Sequence, residues 1–431
     1  MKTKKGAKFW LALIIFSLTG QIAWGVENMY FNVLIYKMFG ASAVDISLMV
    51  SASAVAATVT TLIIGALSDK IGKRKIFICG GYMLWGLSIL SFALIKPDVI
   101  GAFFPTAIST SAICVTLVII MDCVMTFFGS SANDACFNAW LTESTDSSDR
   151  GAAEGVNSMM PLVAILVVFG GFMAFDLDKS ESWTAIFLII GVMVFIVGLL
   201  GLVLIKESAF VCKENSSYFK NIFYGFRPSV IKANYMLYLV LGAFAVFGIA
   251  IQIFMPYLIL YYEVSLNLSN YVLIMAPAII LAAVFTAFFG RIYDKIGFHK
   301  AVAIAVIILI CGFFILYAFK NTVLVFIGSL LMMCGYLSGM AAFGAVIREY
   351  TPKNKAGMFQ GLRIVGQVLI PGIIGPAIGA AVLSDAKTIT NNDGTVSFIP
   401  NENIFSSALV VCFALSLILV MIYKLGSKKN A

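Results

Sequence analysis

The chain is a succession of apolar runs of about 20 residues or more, the length a helix needs to cross the hydrocarbon layer of a bilayer. A membrane β-barrel would instead show short segments of alternating polarity. The pattern predicts twelve helices, at 9–36, 43–68, 76–95, 117–141, 155–175, 184–205, 234–262, 267–291, 300–318, 323–347, 362–384 and 404–424. A wide polar stretch at 206–233 divides them six and six. The expected organisation is an N-terminal bundle over 1–205, a cytoplasmic central loop over 206–233 and a C-terminal bundle over 234–431. Within that loop Phe219, Ile222, Phe223 and Phe226 fall on one helical face, as in an amphipathic helix lying on a membrane surface. Near the other end of the chain, Asn392-Asp393-Gly394 between two β-prone triplets, 388–390 and 395–397, predicts a hairpin.

The polar breaks repeat. Gly65-Ala66-Leu67-Ser68-Asp69-Lys70-Ile71-Gly72-Lys73-Arg74-Lys75 closes the second run, and Gly290-Arg291-Ile292-Tyr293-Asp294-Lys295-Ile296-Gly297-Phe298-His299-Lys300 closes the eighth. Gly65 and Gly290, Asp69 and Asp294, and Gly72 and Gly297 are separated by one and the same interval, which argues for an internal duplication. A later echo, Arg150-Gly151 with Gly155 against Ala356-Gly357 with Gly361, is more closely spaced. The first half therefore holds an insertion between its third and fourth spans, predicted as a short outer helix or re-entrant segment at 99–116. The paired motif resembles the signature of the major facilitator superfamily in the loop between its second and third helices. The resemblance implies an all-α integral membrane fold, two six-helix bundles of the same orientation, and transport by alternating access.

Charge changes the picture only in orientation. The net charge of +8 over 431 residues is concentrated in the breaks that share a side under the twelve-span reading. The exceptions are Lys37, Lys96, Lys179, Lys320 and Lys387. This asymmetry predicts a multi-pass protein of the plasma membrane with both termini cytoplasmic, and it needs no nucleic-acid partner. Lys2 to Lys8 followed by Phe9 to Thr19 imitates a secretion signal, but the apolar run continues and reads as an uncleaved first span. The eight cysteines are scattered without a Cys-x-x-Cys pair and the one histidine is His299, so neither a disulfide frame nor a metal site is expected. No nucleotide loop or activated nucleophile points to an enzyme. No cofactor and no obligate protein partner is implied. The partners expected are the lipid bilayer and a small-molecule substrate.

Ionisable groups inside a span are costly and therefore functional candidates. Three acids qualify: Asp134 foremost, Glu27 and Asp122. Glu27 lies amid Gln21, Trp24, Asn28 and Asn32, which recur at three or four residues and form one polar helix face. An indole that packs on the C–H face of a sugar and amides that pair with hydroxyls suit such a substrate; bonding between neighbouring helices is the plainer use of the same groups. The fourth span carries two polar stripes on α-helical spacing, Asp122, Thr126, Asn133 and Trp140 on one, Ser130, Asp134 and Asn138 on the other. Asp134 is seven residues from the end of that span, about 10 Å deep, where a carboxyl can bind and release a proton. Glu27 precedes Asp69 by the same interval as Gln252 precedes Asp294, so the seventh span is expected to present Gln252 and Tyr257 at the matching depth.

More narrowly, the chain resembles the glycoside–pentoside–hexuronide cation symporters, with their sucrose-, maltose- and melibiose-type members. The likeness rests on Gly20-Gln21-Ile22-Ala23-Trp24 with Glu27-Asn28, on Asn133-Asp134-Ala135-Cys136-Phe137-Asn138-Ala139-Trp140 and on Arg150-Gly151. It implies sugar and cation binding at Asp134 and proton-coupled uptake of a sugar or glycoside. The second-span acids and eleventh-span lysine of melibiose-type members are replaced here by Ala57-Thr58-Val59-Thr60-Thr61 and Gly366-Gln367-Val368, which favours H+ over Na+ as coupling ion. Gly65, Asp69, Gly72, Arg74 and Arg150, with Gly290, Asp294 and Gly297, would form the cytoplasmic gate. There Asp69 would latch the N-terminus of the eleventh span and Asp294 that of the fifth, and Lys70, Lys73, Arg74 and Lys75 would pair with acids such as Glu143, Asp146 and Asp149 or with lipid phosphates. An exporter of drugs or metabolites on the same fold, and a non-transporting membrane receptor, are the competing readings.

Overall fold

A computed structural model describes residues 6–106, 108–145, 149–207, 224–268, 270–351, 356–390 and 396–430. In chain order the helices are α1 (Ala7–Phe39), α2 (Ala43–Ile71), α3 (Arg74–Ser91), α4 (Pro97–Phe103), α5 (Thr110–Glu143), α6 (Arg150–Phe172), α7 (Ser180–Leu204), α8 (Pro228–Ala233), α9 (Tyr235–Ser265), α10 (Val272–Ala318), α11 (Thr322–Tyr350), α12 (Ala356–Ile364, Val365–Leu369 and Ile370–Val382 in one line) and α13 (Asn403–Asn430). Eleven of these are long and apolar enough to cross a bilayer. One of them, α10, has 47 residues, about 70 Å at 1.5 Å per residue, more than twice the hydrocarbon thickness. Its helical geometry breaks at Gly297 alone (φ 75°, ψ 171°), so it makes two spans and brings the number to twelve among the described residues.

The helices are built from what the sequence supplies. Gly40 ends α1 in the left-handed conformation, its N–H returned to the carbonyls of Ile35 and Tyr36. Gly72 (φ 69°) ends α2, and its N–H bonds the Ser68 carbonyl at 2.9 Å. Gly72 and Gly297 are the paired glycines of the duplicated motif, and both have positive φ. An added Cβ at either would find nothing within 4 Å, so backbone conformation and not space calls for glycine there.

The expected insertion is present as α4, a seven-residue helix opened by Pro97 at its first turn. The following span begins at Thr110, not 117: Ser109 caps it, its hydroxyl accepting from the Ala112 N–H at 3.2 Å. The hairpin forms as β1 (Thr388–Thr390) against β2 (Val396–Phe398), antiparallel, with Ile389 opposite Ser397; its turn lies outside the described residues. The expected amphipathic helix of the central loop also lies mostly outside them; Tyr224–Phe226 is a short 3-10 turn.

Two compact units result: 1–41 with 52–219, and 42–51 with 220–431. In the first, α1 packs on α6 and α7, and α3 on α7 and α5. The rings of Tyr30 and Phe172, and of Phe31, Phe92 and Phe187, fill its interior. In the second, α10 and α11 share the largest interface and α9 packs on α12 and α13, with Phe254, Phe313 and Phe405 in mutual contact. The buried sides of these helices are the sides that meet one another; Leu188, Phe288, Val410 and Leu417 are among the large apolar residues left facing outward, as lipid requires.

Candidate functional site

In the first unit the polar residues of α1 and α5 divide into a buried set and an open set. α5 is not uniformly α-helical. Ser130–Phe137 winds as a π-helix, whose wider turn changes which side chains share a face.

The open set holds Gln21 and Trp24, both partly exposed, Asn28 and Asn138, both exposed, and Asp134, partly exposed. The Ser130 hydroxyl donates to Asp134 Oδ2 at 2.9 Å, and the Trp24 indole N–H approaches the same carboxyl without closing a good hydrogen bond. Asn28 donates to the Trp24 carbonyl (2.8 Å) and Asn138 to the Asp134 carbonyl (3.2 Å). Each amide is thus held against its own helix, with its Oδ1 directed elsewhere. The Trp24 ring lies 4.8 Å from that of Trp85, which fixes one of its sides.

The buried set is centred on Glu27 (6% exposed) and Asp122 (2%). Glu27 Oε1 accepts from the hydroxyls of Ser53 (2.6 Å) and Thr126 (2.9 Å), which lie 2.9 Å from each other. The charges of the two carboxyls act on each other. Glu27 Oε2 and Asp122 Oδ1 nonetheless have no hydrogen-bond donor. Three helices, α1, α2 and α5, therefore meet on one carboxylate.

Three expected site residues are placed differently. Asn133 is 3% exposed, and its amide donates to the Tyr82 hydroxyl (2.8 Å), which donates to the Phe16 carbonyl (2.8 Å). A Cβ on Gly20 would fall 1.7 Å from Asn133 Nδ2, so glycine is what lets this amide lie against α1. Asn133 is a packing residue, and its departure from the Asp122 stripe follows from the π-helical winding. Asn32 is buried too (1%), donating to the Asn28 carbonyl at 3.1 Å. In the second unit Tyr257 is fully buried; its hydroxyl donates to the Ala43 carbonyl at 2.9 Å, and its ring contacts Phe398 of β2. Gln252 is partly exposed and sits against Gly375 of α12, where a Cβ would come within 2.4 Å of its own Cβ. The residue that the sequence pattern did not single out is Ser53; it is hidden in a Ser51-Ala52-Ser53-Ala54 run whose small residues read as helix packing.

At the end of α2 the motif forms a charged knot. Arg74 is 3% exposed. It donates to Glu143 Oε1 (2.6 Å from Nη2), to Asp69 and to the Ser68 hydroxyl, and its backbone N–H donates to Glu207 at 2.5 Å. Ser68 in turn donates to the Gly65 carbonyl at 2.9 Å. Arg150 is exposed and donates to the Thr142 carbonyl at 3.0 Å. The second copy differs: Asp294 and Gly290 are exposed, and His299, at the position of Arg74, stacks edgewise on Phe298 and Tyr423.

No group of three or more His, Cys, Asp or Glu able to hold a metal occurs among the described residues. The protein is helical, with membrane-length spans, a polar face on α1 and α5, and buried carboxyls on the same two helices. The family model of the Major Facilitator Superfamily matches residues 9–376, and the chain belongs to that superfamily. It is a transporter of the kind that works by alternating access. No curated protein matches the chain. Among solved structures it is similar to a point mutant of the nucleoside transporter NupG (TM-score 0.75, 12% identity, 96% of this chain and 99% of that one). It is also similar to the occupied, inward-facing bacterial homologue of the human lysosomal transporter Spinster (0.68, 14%, 98% of each chain). A third likeness is to the xylose transporter XylE from E. coli (0.67, 13%, 96% and 99%). At such identities the likeness is one of fold.

Proposed function

We propose that the protein takes up a sugar or glycoside together with protons across the plasma membrane, with both termini in the cytoplasm. The observation that carries this reading is the open face of the first unit. There the Trp24 indole stands beside the Asp134 carboxyl, with Gln21 and Asn28 one turn to either side of Trp24 on α1 and Asn138 one turn from Asp134 on α5. An aromatic plane next to a carboxylate and several amides matches the alternation of C–H and O–H faces on a sugar ring. Asn133, Asn32 and Tyr257 support the helices instead, and Gln252 is the candidate substrate residue of the second unit. Asp134 would bind the proton that drives accumulation, since substrate must bind the protonated form better than the deprotonated one for transport to be coupled. The motif resemblance to the glycoside–pentoside–hexuronide symporters supports the same substrate class. The absence of acids in Ala57-Thr58-Val59-Thr60-Thr61 supports H+ over Na+. The motif glycines, Asp69, Arg74 and Arg150, with Asp294, would act at the cytoplasmic gate.

The test is uptake into proteoliposomes over a panel of free sugars, O-glycosides and nucleosides, which are N-glycosides, under an imposed proton or sodium gradient. Accumulation of a panel member driven by the proton gradient is expected. Asp134→Asn should lose accumulation and keep part of the exchange of labelled for unlabelled substrate. Full accumulation in that variant, or a sodium gradient sufficing at fixed pH, would refute the assignment.

A further inference from the structure

The Arg74 knot joins α2, α3 and α5 through side chains, and it reaches a fourth helix, α7, through the backbone. α3 begins at Arg74, and Lys73 before it supplies no side-chain cap. The acid that caps α3 comes from just beyond the end of α7. Glu207 Oε1 accepts from the backbone N–H groups of Arg74 (2.5 Å) and Lys75 (3.2 Å), two of the donors that a helix start leaves without partners. Lys75 reaches the other way: its Nζ donates to the Leu202 carbonyl at 2.7 Å, one of the acceptors that the end of α7 leaves open. An acid thus sits on a helix start and a lysine on a helix end, each where the helix dipole favours it. Between Leu202 and Glu207 the chain is held once more, the Lys206 carbonyl accepting from the Trp140 indole of α5 at 2.9 Å. The first two residues of the central loop, Lys206 and Glu207, are therefore fastened to α5 and α3.

These contacts converge on one residue. The backbone of Arg74 is held by Glu207, and its side chain by Ser68, Asp69 and Glu143. Glu207 also balances charge. Arg74, Lys75 and the positive start of α3 face Asp69 and Glu143; without Glu207 a surplus of positive charge would surround a buried guanidinium. The second half supplies the contrast. Lys300 stands at the place of Lys75 and His299 at that of Arg74, and α13 is the span that corresponds to α7. α13 brings no acid to that corner. It meets His299 through the Tyr423 ring, and the residues that follow are Lys424-Leu425-Gly426-Ser427-Lys428-Lys429-Asn430. The half that lacks the arginine also lacks the capping acid.

We propose that Glu207 is the positioning residue of the Arg74 knot: by capping α3 from the end of α7 it sets the guanidinium against Asp69 and Glu143, and it builds the start of the central loop into the gate. The seating stands on these contacts; its use as a gate rests on the reading of the previous subsection.

Cys136 is a built-in reporter. It is fully buried on α5, one turn before Trp140 and two before Glu143, and the charges of Asp69, Arg74 and Glu143 act on its thiol. The full-length protein in lipid vesicles is treated with N-ethylmaleimide, and alkylation of each cysteine is followed by mass spectrometry. Glu207→Ala should speed alkylation of Cys136 about tenfold, the degree of local opening that loss of a helix cap corresponds to, and leave the equally buried Cys412 of the second unit protected. Glu207→Gln, which keeps an acceptor for the two N–H groups, should restore most of the protection. Arg74→Ala should speed Cys136 by at least as much, and adding Glu207→Ala to it should bring no further rise, because the acid acts through the arginine. In the uptake assay the two single variants should change KM and the maximal rate by the same factors. An unchanged Cys136 rate in Glu207→Ala, a rise shared by Cys412, a Gln variant labelled as fast as the Ala variant, additive effects in the double variant or unlike changes in KM would each overturn the proposal. If Arg74→Ala fails to fold, the Glu207→Gln rescue decides. The alkylation needs neither substrate nor gradient, so it stands or falls apart from the uptake reading.

Discussion

The two copies of the loop motif share a backbone and differ in their side chains. Gly72 and Gly297, at matching places in the two copies, both turn the chain with positive φ, 69° and 75°. The turn is therefore the part of the motif that each half needs in order to fold. The charges have diverged. In the first copy Arg74 is buried and held by Asp69, Glu143 and Ser68. In the second its place is taken by His299, in ring contact with Phe298 and Tyr423, while Asp294 is exposed. Glu143 has a counterpart in Glu349 at the spacing of the Arg150 echo, so the acids persist where the arginine does not. One loop is locked by an ionic knot and the other by aromatic packing. They are expected to respond differently to salt, since a buried knot is screened far less than exposed charge.

The sharpest way to break this contrast is at Arg74. Arg74→Ala should destabilise the detergent-solubilised protein by about 3 kcal/mol, the low end for removing one partner of a buried ion pair, because the Asp69 side chain is 42% exposed and water screens part of its charge. Thermal unfolding monitored by tryptophan fluorescence reads this; a shift equal to that of an exposed lysine such as Lys73→Ala would show that the knot contributes nothing. Gly297→Ala comes next. Its φ and ψ lie in a region that essentially only glycine occupies, and the strain should cost about 1–3 kcal/mol. An unchanged melting temperature would mean that the turn relaxes freely. His299→Ala should be mildest, about 0.5–1.5 kcal/mol from the lost ring contacts. A loss there as large as at Arg74 would erase the distinction between the two loops.

Much of this is legible in the chain alone. Span length and the hydrocarbon thickness locate the crossings, and positive-φ glycines can be read from their place after a helical run and before a basic cluster. The start of α5 is not legible, because Thr110, Ser111 and Thr116 look like loop while a Ser109 cap lets the helix begin among them. Arg74 sits in a Lys73-Arg74-Lys75 run in which nothing singles out one residue for burial; its burial depends on Glu143 arriving from a distant helix end. Glu27 and Asp122 are each visible as costly acids, but nothing in one-dimensional spacing brings α1 and α5 together at that depth. Asn133 falls on the wrong face when its helix is given 3.6 residues per turn throughout.

That irregular winding at Ser130–Phe137 has an architectural consequence. In a uniform α-helix Asp122 and Asn133 would sit nearly in line after three turns. The widened coil offsets the two ends of α5, so its N-terminal part meets the buried Glu27 while its C-terminal part carries Asp134 beside Trp24. A single rod thus serves two polar neighbourhoods, and excising one residue from the coil would turn the side chains of one of them away.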